Sequence, residues 1–210
     1  MRSTLRAIRR TWAKWFHWCN GSCTVCSDCL FLPEIQFNAV ASAIIFTQAC
    51  HCMNTLIQHH IGHFEAFFNG SPWYGSNYSR IIDSLTEEEA NWWPPYGHSI
   101  HGLLLHMIKW RKSLSERLLG NMDFVATDND PDNWPEAEAI QKMNWVDTKA
   151  EFARQQKLIV DALRDKDDAF LEEDFLPGKK FGWLIQGVID HDIYHLGQIA
   201  TVRGLIRASA

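Results

Sequence analysis

Near its C-terminus the chain reads Asp190-His191-Asp192-Ile193-Tyr194-His195-Leu196-Gly197-Gln198-Ile199, and the reading of the whole starts from this stretch. Two histidines four positions apart lie about 40° apart around an α-helix and one turn from each other, so both rings can reach one point. Helical steps from His191 place Leu184, Val188, His195, Gln198, Val202 and Leu205 on the same side. That side is an apolar stripe with two imidazoles and an amide in its middle. A stripe that should bury itself in a core must have its polar nitrogens satisfied there. A divalent metal ion satisfies both at once. The alternative is a pair of core histidines bonded to carbonyls or carboxylates.

Upstream, Leu56, Ile57, His60, Ile61, Phe64, Phe67 and Phe68 recur at helical spacing until Asn69-Gly70-Ser71-Pro72 ends the run. A short helical piece is expected around Tyr78 to Leu85, and Thr86-x-x-Glu89 is a capping box for another short turn. A second long helix is expected from Ser99 to Leu119, with Gly120 as its stop. Its first half is apolar on nearly every side. Its later turns carry Lys109, Arg111, Lys112, Glu116 and Arg117 and are expected to emerge toward water. The polar connector 128–135 has turn chemistry throughout. Thr148-x-x-Glu151 reads as the capping box of a third helix, and Leu176-Pro177-Gly178 separates that helix from a fourth, about Phe181 to Arg207. No alternating Val/Ile/Thr run predicts a sheet. The expected fold class is therefore all-α: a four-helix bundle over 53–210 with long connectors at 69–98 and 120–146, plus a poorly structured N-terminal extension.

Composition sets that extension apart. All six cysteines (Cys19, Cys23, Cys26, Cys29, Cys50 and Cys52) precede Met53. Five basic residues before Met53, against Asp28 and Glu34, give +3, so the rest of a chain whose total is −5 carries −8. An acidic body argues against nucleic acid and anionic membrane as partners. No run of about 18 apolar residues predicts a spanning helix, and a body without cysteine suits a cytoplasmic location. Residues 1–52 read as a dispensable extension with Met53 as the expected start; a metal-binding appendage built on the cysteine run and a targeting segment are the alternatives.

A metal held by His191 and His195 alone would lack ligands. The other body histidines are His59, His60, His63, His98, His101 and His106. His106 is best placed, in the most apolar helical segment, on one face with Gly102, Leu103 and Trp110, where Gly102 would let a neighbour come close. His101 lies about 140° around the helix from it and cannot share its ion. His98 reads as a capping or surface residue, and His60 as a possible fourth ligand. The segments Ser99–Arg111 and Asp190–Ile199 resemble the second and fourth helices of the DinB-like family of metal-binding four-helix bundles, down to the ending His195-Leu196-Gly197-Gln198-Ile199. The similarity spans about Met53 to Ile206, and residues 1–52 have no counterpart in it. It implies that His106, His191 and His195 hold a divalent ion (zinc, nickel or manganese) near one end of the core.

Three neutral imidazoles leave such an ion a net charge of +2 and open positions, suited to activating water for hydrolysis or a thiol for transfer. The family resemblance implies a small-molecule substrate, with low-molecular-weight thiols among the candidates, and a metal-dependent S-transferase or hydrolase; a non-catalytic, metal-stapled bundle or interaction protein is the competing reading. Gln198 and Tyr194 are the candidate catalytic neighbours, with a hydrogen bond to a facing helix and a buried phenol bonded to a carbonyl as their structural alternatives. Asp190 or Asp192 is expected to pair with a surface base such as Arg203 or Lys109. A homodimer is a further expectation.

Overall fold

The computed structural model describes residues 54–209; the expectations for 1–52 and for a start at Met53 lie outside them. The described chain is mostly helical. Its long helices are α1 (Thr55–Phe68), α4 (Ile100–Leu118), α6 (Trp145–Arg164) and α7 (Phe181–Ser209). Three short ones sit in the connectors: α2 (Tyr78–Ile82), α3 (Glu87–Asn91) and α5 (Ala137–Ile140). Helix α4 packs on α6 and α7, and α1 packs on the same two, which makes the four a bundle.

Local chemistry places most helix ends. Thr86 and Glu89 form the expected capping box at α3. The Ser99 hydroxyl accepts from the Gly102 amide at 3.1 Å and starts α4, and Gly120, at φ 94°, follows its end. Helix α6 departs from expectation. It begins at Trp145, where Asn144 caps the amides of Val146 and Asp147. Thr148 is therefore a full turn inside the helix, buried, and lies 2.9 Å from Nε2 of His101. The Asx cap and the burial of Trp145 outweigh the Ser/Thr-type box.

A second departure is a two-strand hairpin, β1 (Asp174–Leu176) against β2 (Lys179–Lys180), just before α7. Pro177 sets φ at the first turn position and Gly178, at φ 74°, takes the second, so turn chemistry makes the hairpin without an alternating apolar run. The start of α1 is the third. Asn54 gives it no side-chain cap; instead the carboxylate of Asp168, in a 3-10 turn at Asp168–Glu172, accepts from the Leu56 and Ile57 amides at 3.1 and 2.9 Å.

The core has two apolar layers. One, around Ile61, Leu114, Ile159 and Ile185, lies toward the start of α7. The other, around Phe67, Leu104, Phe152 and Ile199, lies toward the start of α4. Between them Arg111 spans the bundle interior, fully buried. Its Nε and Nη2 reach Asp192 Oδ2 at 2.9 and 2.8 Å, Nη1 reaches Gln156 Oε1 at 2.8 Å, and its guanidinium lies 4.1 Å from the Phe152 ring centre. The later turns of α4 thus emerge toward water only in part: Lys112 is exposed and Glu116 half-buried, while Lys109, Arg111 and Arg117 are buried. Asp192 pairs with Arg111 in the interior, not with Arg203 or Lys109, and Asp190 accepts from Gln186. Hydropathy patterning treats every charge as a solvent-facing group; a guanidinium with a carboxylate, an amide and an aromatic face around it is the exception.

Candidate metal centre

Helices α4 and α7 bring His106, His191 and His195 together, as the spacing and the resemblance implied. Their Nε2 atoms face one another: His106 to His191 at 2.9 Å and His191 to His195 at 3.0 Å. One nitrogen of each lies within 4.8 Å of the others, and this is the one such group of three or more His, Cys, Asp or Glu among the described residues. His106 and His195 are each 4% exposed and His191 is half-buried.

The outer nitrogens explain why the inner ones converge. His106 Nδ1–H donates to the Asn133 carbonyl at 2.9 Å, and His195 Nδ1–H donates to Gln198 Oε1 at 2.6 Å. Each bond puts the ring proton on Nδ1 and leaves a lone pair on Nε2. Two lone pairs then point at the single Nε2 of His191, whose Nδ1 is buried without a hydrogen-bond partner. One proton on that nitrogen can serve only one of them. A cation between the three would serve all of them, since neutral imidazole nitrogen is a common ligand of divalent ions. The donor set therefore fits a divalent ion.

Electrostatics keep the donors ready. Burial pushes His106 down to about 4, with the nearby His195 adding to the effect. Burial, then His195, His106 and Arg111, push His191 down to about 3, and burial also lowers His195. All three rings are neutral at pH 7, which is the ligating form. Behind them, burial lifts Asp192 to about 6 while Arg111 pulls it back, so the carboxylate is mostly ionised at neutral pH.

The connector before α6 closes one side of the centre. Trp134 lies face to face with His106, ring centres 3.7 Å apart, and His98 stacks on its other face at 4.0 Å. Lys109 reaches Asp130 at 2.8 Å and Asp132 at 2.5 Å, which anchors the segment that presents the Asn133 carbonyl. Gly102 admits the Ile140 side chain of α5, which a β-carbon would meet at 3.1 Å. The close neighbour at Gly102 is thus a connector residue and not a long helix. Trp110 completes the aromatic surround, 6.3 Å from His106 and 6.0 Å from His191.

The other candidates fall as follows. His101 is fully buried between Asn91 and Thr148, a core histidine. His98 is neither a cap nor simply surface, since it holds Trp134. His60 lies outside the three-histidine group, beside His59 and His63 on α1. Gln198 does not reach a facing helix: its carbonyl orients His195 and its amide donates to Tyr194 Oη at 3.3 Å. Tyr194 is 64% exposed and so is not a buried phenol bonded to a carbonyl. Sequence reasoning missed Arg111, Asn133 and Trp134. A tryptophan in an otherwise polar connector was the one available signal, because so large an apolar ring needs a surface to cover. A cleft of about 590 Å³ lined by Phe68, Gln156, Val160 and Arg164 contains none of the three histidines.

Among the described residues no helix is long and apolar enough to cross a membrane. A comparison with curated proteins finds no match. The family model of the DinB superfamily matches residues 75–199, a span that includes all three histidines, Trp134 and the Arg111–Asp192 pair. With more than half of its length matched and a helical bundle around the histidine trio, the chain belongs to the DinB superfamily.

Proposed function

We propose that the chain is a divalent-metal-dependent enzyme acting on a small molecule, with transfer of a low-molecular-weight thiol favoured over hydrolysis. The observation that carries this reading is the trio itself: three imidazole nitrogens and, among the described residues, no fourth protein ligand in the group. Three protein ligands are the pattern of ion sites that keep a position open for substrate; structural sites close the sphere with four.

His106, His191 and His195 would hold the ion. When bound, it would supply a positive charge that lowers the pKa of a thiol or water placed beside it. Asn133 and Gln198 keep the ring protons on the outer nitrogens of His106 and His195, and Trp134 excludes water from the His106 face. The exposed Tyr194 hydroxyl, held by the Gln198 amide, is placed to donate to a substrate at the rim. The group contains no carboxylate to serve as a general base for water. A thiol has less need of one, because its ordinary pKa of about 8.5 is already close to neutrality. In the transfer, the sulfur forms a bond to an electrophilic carbon, the leaving group takes the electron pair, and the thiol proton goes to solvent. We place the chain in the cytoplasm with a small-molecule partner, and leave a homodimer as an additional proposal.

The test is elemental analysis of the full chain purified without a histidine tag, beside His106→Ala and His195→Ala. Zinc-, nickel- and manganese-loaded protein is then assayed for thiol conjugation and for ester and amide hydrolysis. One ion per trio, lost in both variants together with activity, is the expected result. Bound ion without turnover across the panel would instead favour an ion that only staples α4 to α7.

A further inference from the structure

We propose that His59 and His63, on the outer face of α1, form a second metal site that takes one first-row divalent ion of the imidazole-preferring kind: nickel(II), copper(II) or zinc(II). They are the chain's other His-x-x-x-His pair on a described helix. Their ring centres lie 4.4 Å apart, against 4.3 Å for His191 and His195, so the helix brings the two rings equally close, with their planes at 55° where the trio pair meets at 73°. Both side chains are exposed, and neither is committed to a hydrogen bond within the described residues. An ion can therefore reach them without opening the fold.

His60, the next residue along, belongs to the interior side. Its ring centre is 6.1 Å from that of His59, it is half-buried, and burial lowers its pKa. One helical step turns it about 100° from His59, away from the shared point. No third His, Cys, Asp or Glu among the described residues brings a ligand atom into the pair's reach. The α1 site thus has two protein nitrogens, with water filling the rest, and binds more weakly than the trio. Its ligands are one turn apart within a helix whose start is held by the Asp168 carboxylate from a distant turn, Asn54 giving no side-chain cap. An ion there ties successive turns of α1 together and slows its fraying.

The full chain, its six thiols alkylated and its metal stripped, is equilibrated with nickel(II), and bound nickel is counted by dialysis. The wild type should hold one ion more than either His59→Ala or His63→Ala, while His60→Ala keeps the wild-type count. A chain carrying His191→Ala and His195→Ala should lose the trio ion yet keep the α1 ion. Amide exchange in α1 should slow with nickel in the wild type and in that double variant, but not in His63→Ala. An equal nickel count in the wild type and His63→Ala overturns the proposal, as does loss of the α1 ion when the trio is disabled. Because both residues are exposed, matching circular dichroism and melting of the variants separates loss of ligand from loss of fold.

Discussion

Replacing Arg111 with methionine should be among the most destabilising single changes in the bundle. The side chain is fully buried and holds Asp192, itself buried, through two nitrogens at 2.9 and 2.8 Å. Methionine keeps much of the apolar contact with Phe152 but leaves the carboxylate without a counter-charge. Removing one partner of such a pair costs about 3–5 kcal/mol. Arg111→Met with Asp192→Leu removes both charges and should recover most of that loss, since apolar replacement of a buried pair is often neutral or stabilising. The single variant should also acquire a distinctive pH dependence. Wild-type Asp192 titrates at about 6 in the fold, above the ordinary carboxylate value of an unfolded chain. Without Arg111 the folded value rises further. A raised folded pKa gives stability that is present at low pH and lost as pH rises through that pKa. The stability gap between wild type and Arg111→Met should therefore widen as pH climbs above about 6, by at most about 1.4 kcal/mol per unit. Urea denaturation of metal-stripped wild type, Arg111→Met and the double variant from pH 5.5 to 8.5 reads both effects. A single variant that loses less than about 1 kcal/mol, with a gap flat in pH, would refute the reading of Arg111 as the partner of a buried charge.

Other perturbations probe the fold and the centre. Asp168→Ala removes the carboxylate that caps α1 from across the chain and should cost about 1 kcal/mol, seen as a lower melting temperature and faster amide exchange at Leu56 and Ile57. Lys109→Met should loosen the segment that presents the Asn133 carbonyl to His106 and weaken ion binding roughly 10- to 100-fold without unfolding the chain, measurable by competition with a chelator. Metal-stripped protein should lose stability as pH falls from about 6.5 toward 4, because the unfolded histidines take up protons there while His106 and His191 stay neutral in the fold. His106→Ala should flatten that slope in acid denaturation curves, and a bound ion should shift the loss to lower pH.

The sequence alone was enough to place the long helices and the His191–His195 pair, because both are written in periodicity; His106 was one candidate among six histidines until the resemblance to the DinB-like helices singled it out. Apolar recurrence near 3.6 residues marks an amphipathic helix wherever it occurs, and a four-residue step puts two rings at one point whatever surrounds them. Thr86–Glu89, Ser99 and Gly120 set helix ends by contacts within a few residues, so they too were legible. What depended on approach between distant segments was not. Asp168 caps α1 from 112 and 111 positions away, Arg111 meets Asp192 across 81, and the Asn133 carbonyl selects the tautomer of His106 across 27. The start of α6 was misread because Thr148-x-x-Glu151 looks like a cap locally, while its threonine is committed to His101. A one-dimensional pattern can state that a charge or an amide exists. Whether it meets water or a partner is settled only when the helices pack, because the cost of burying it depends on what stands within a few ångströms.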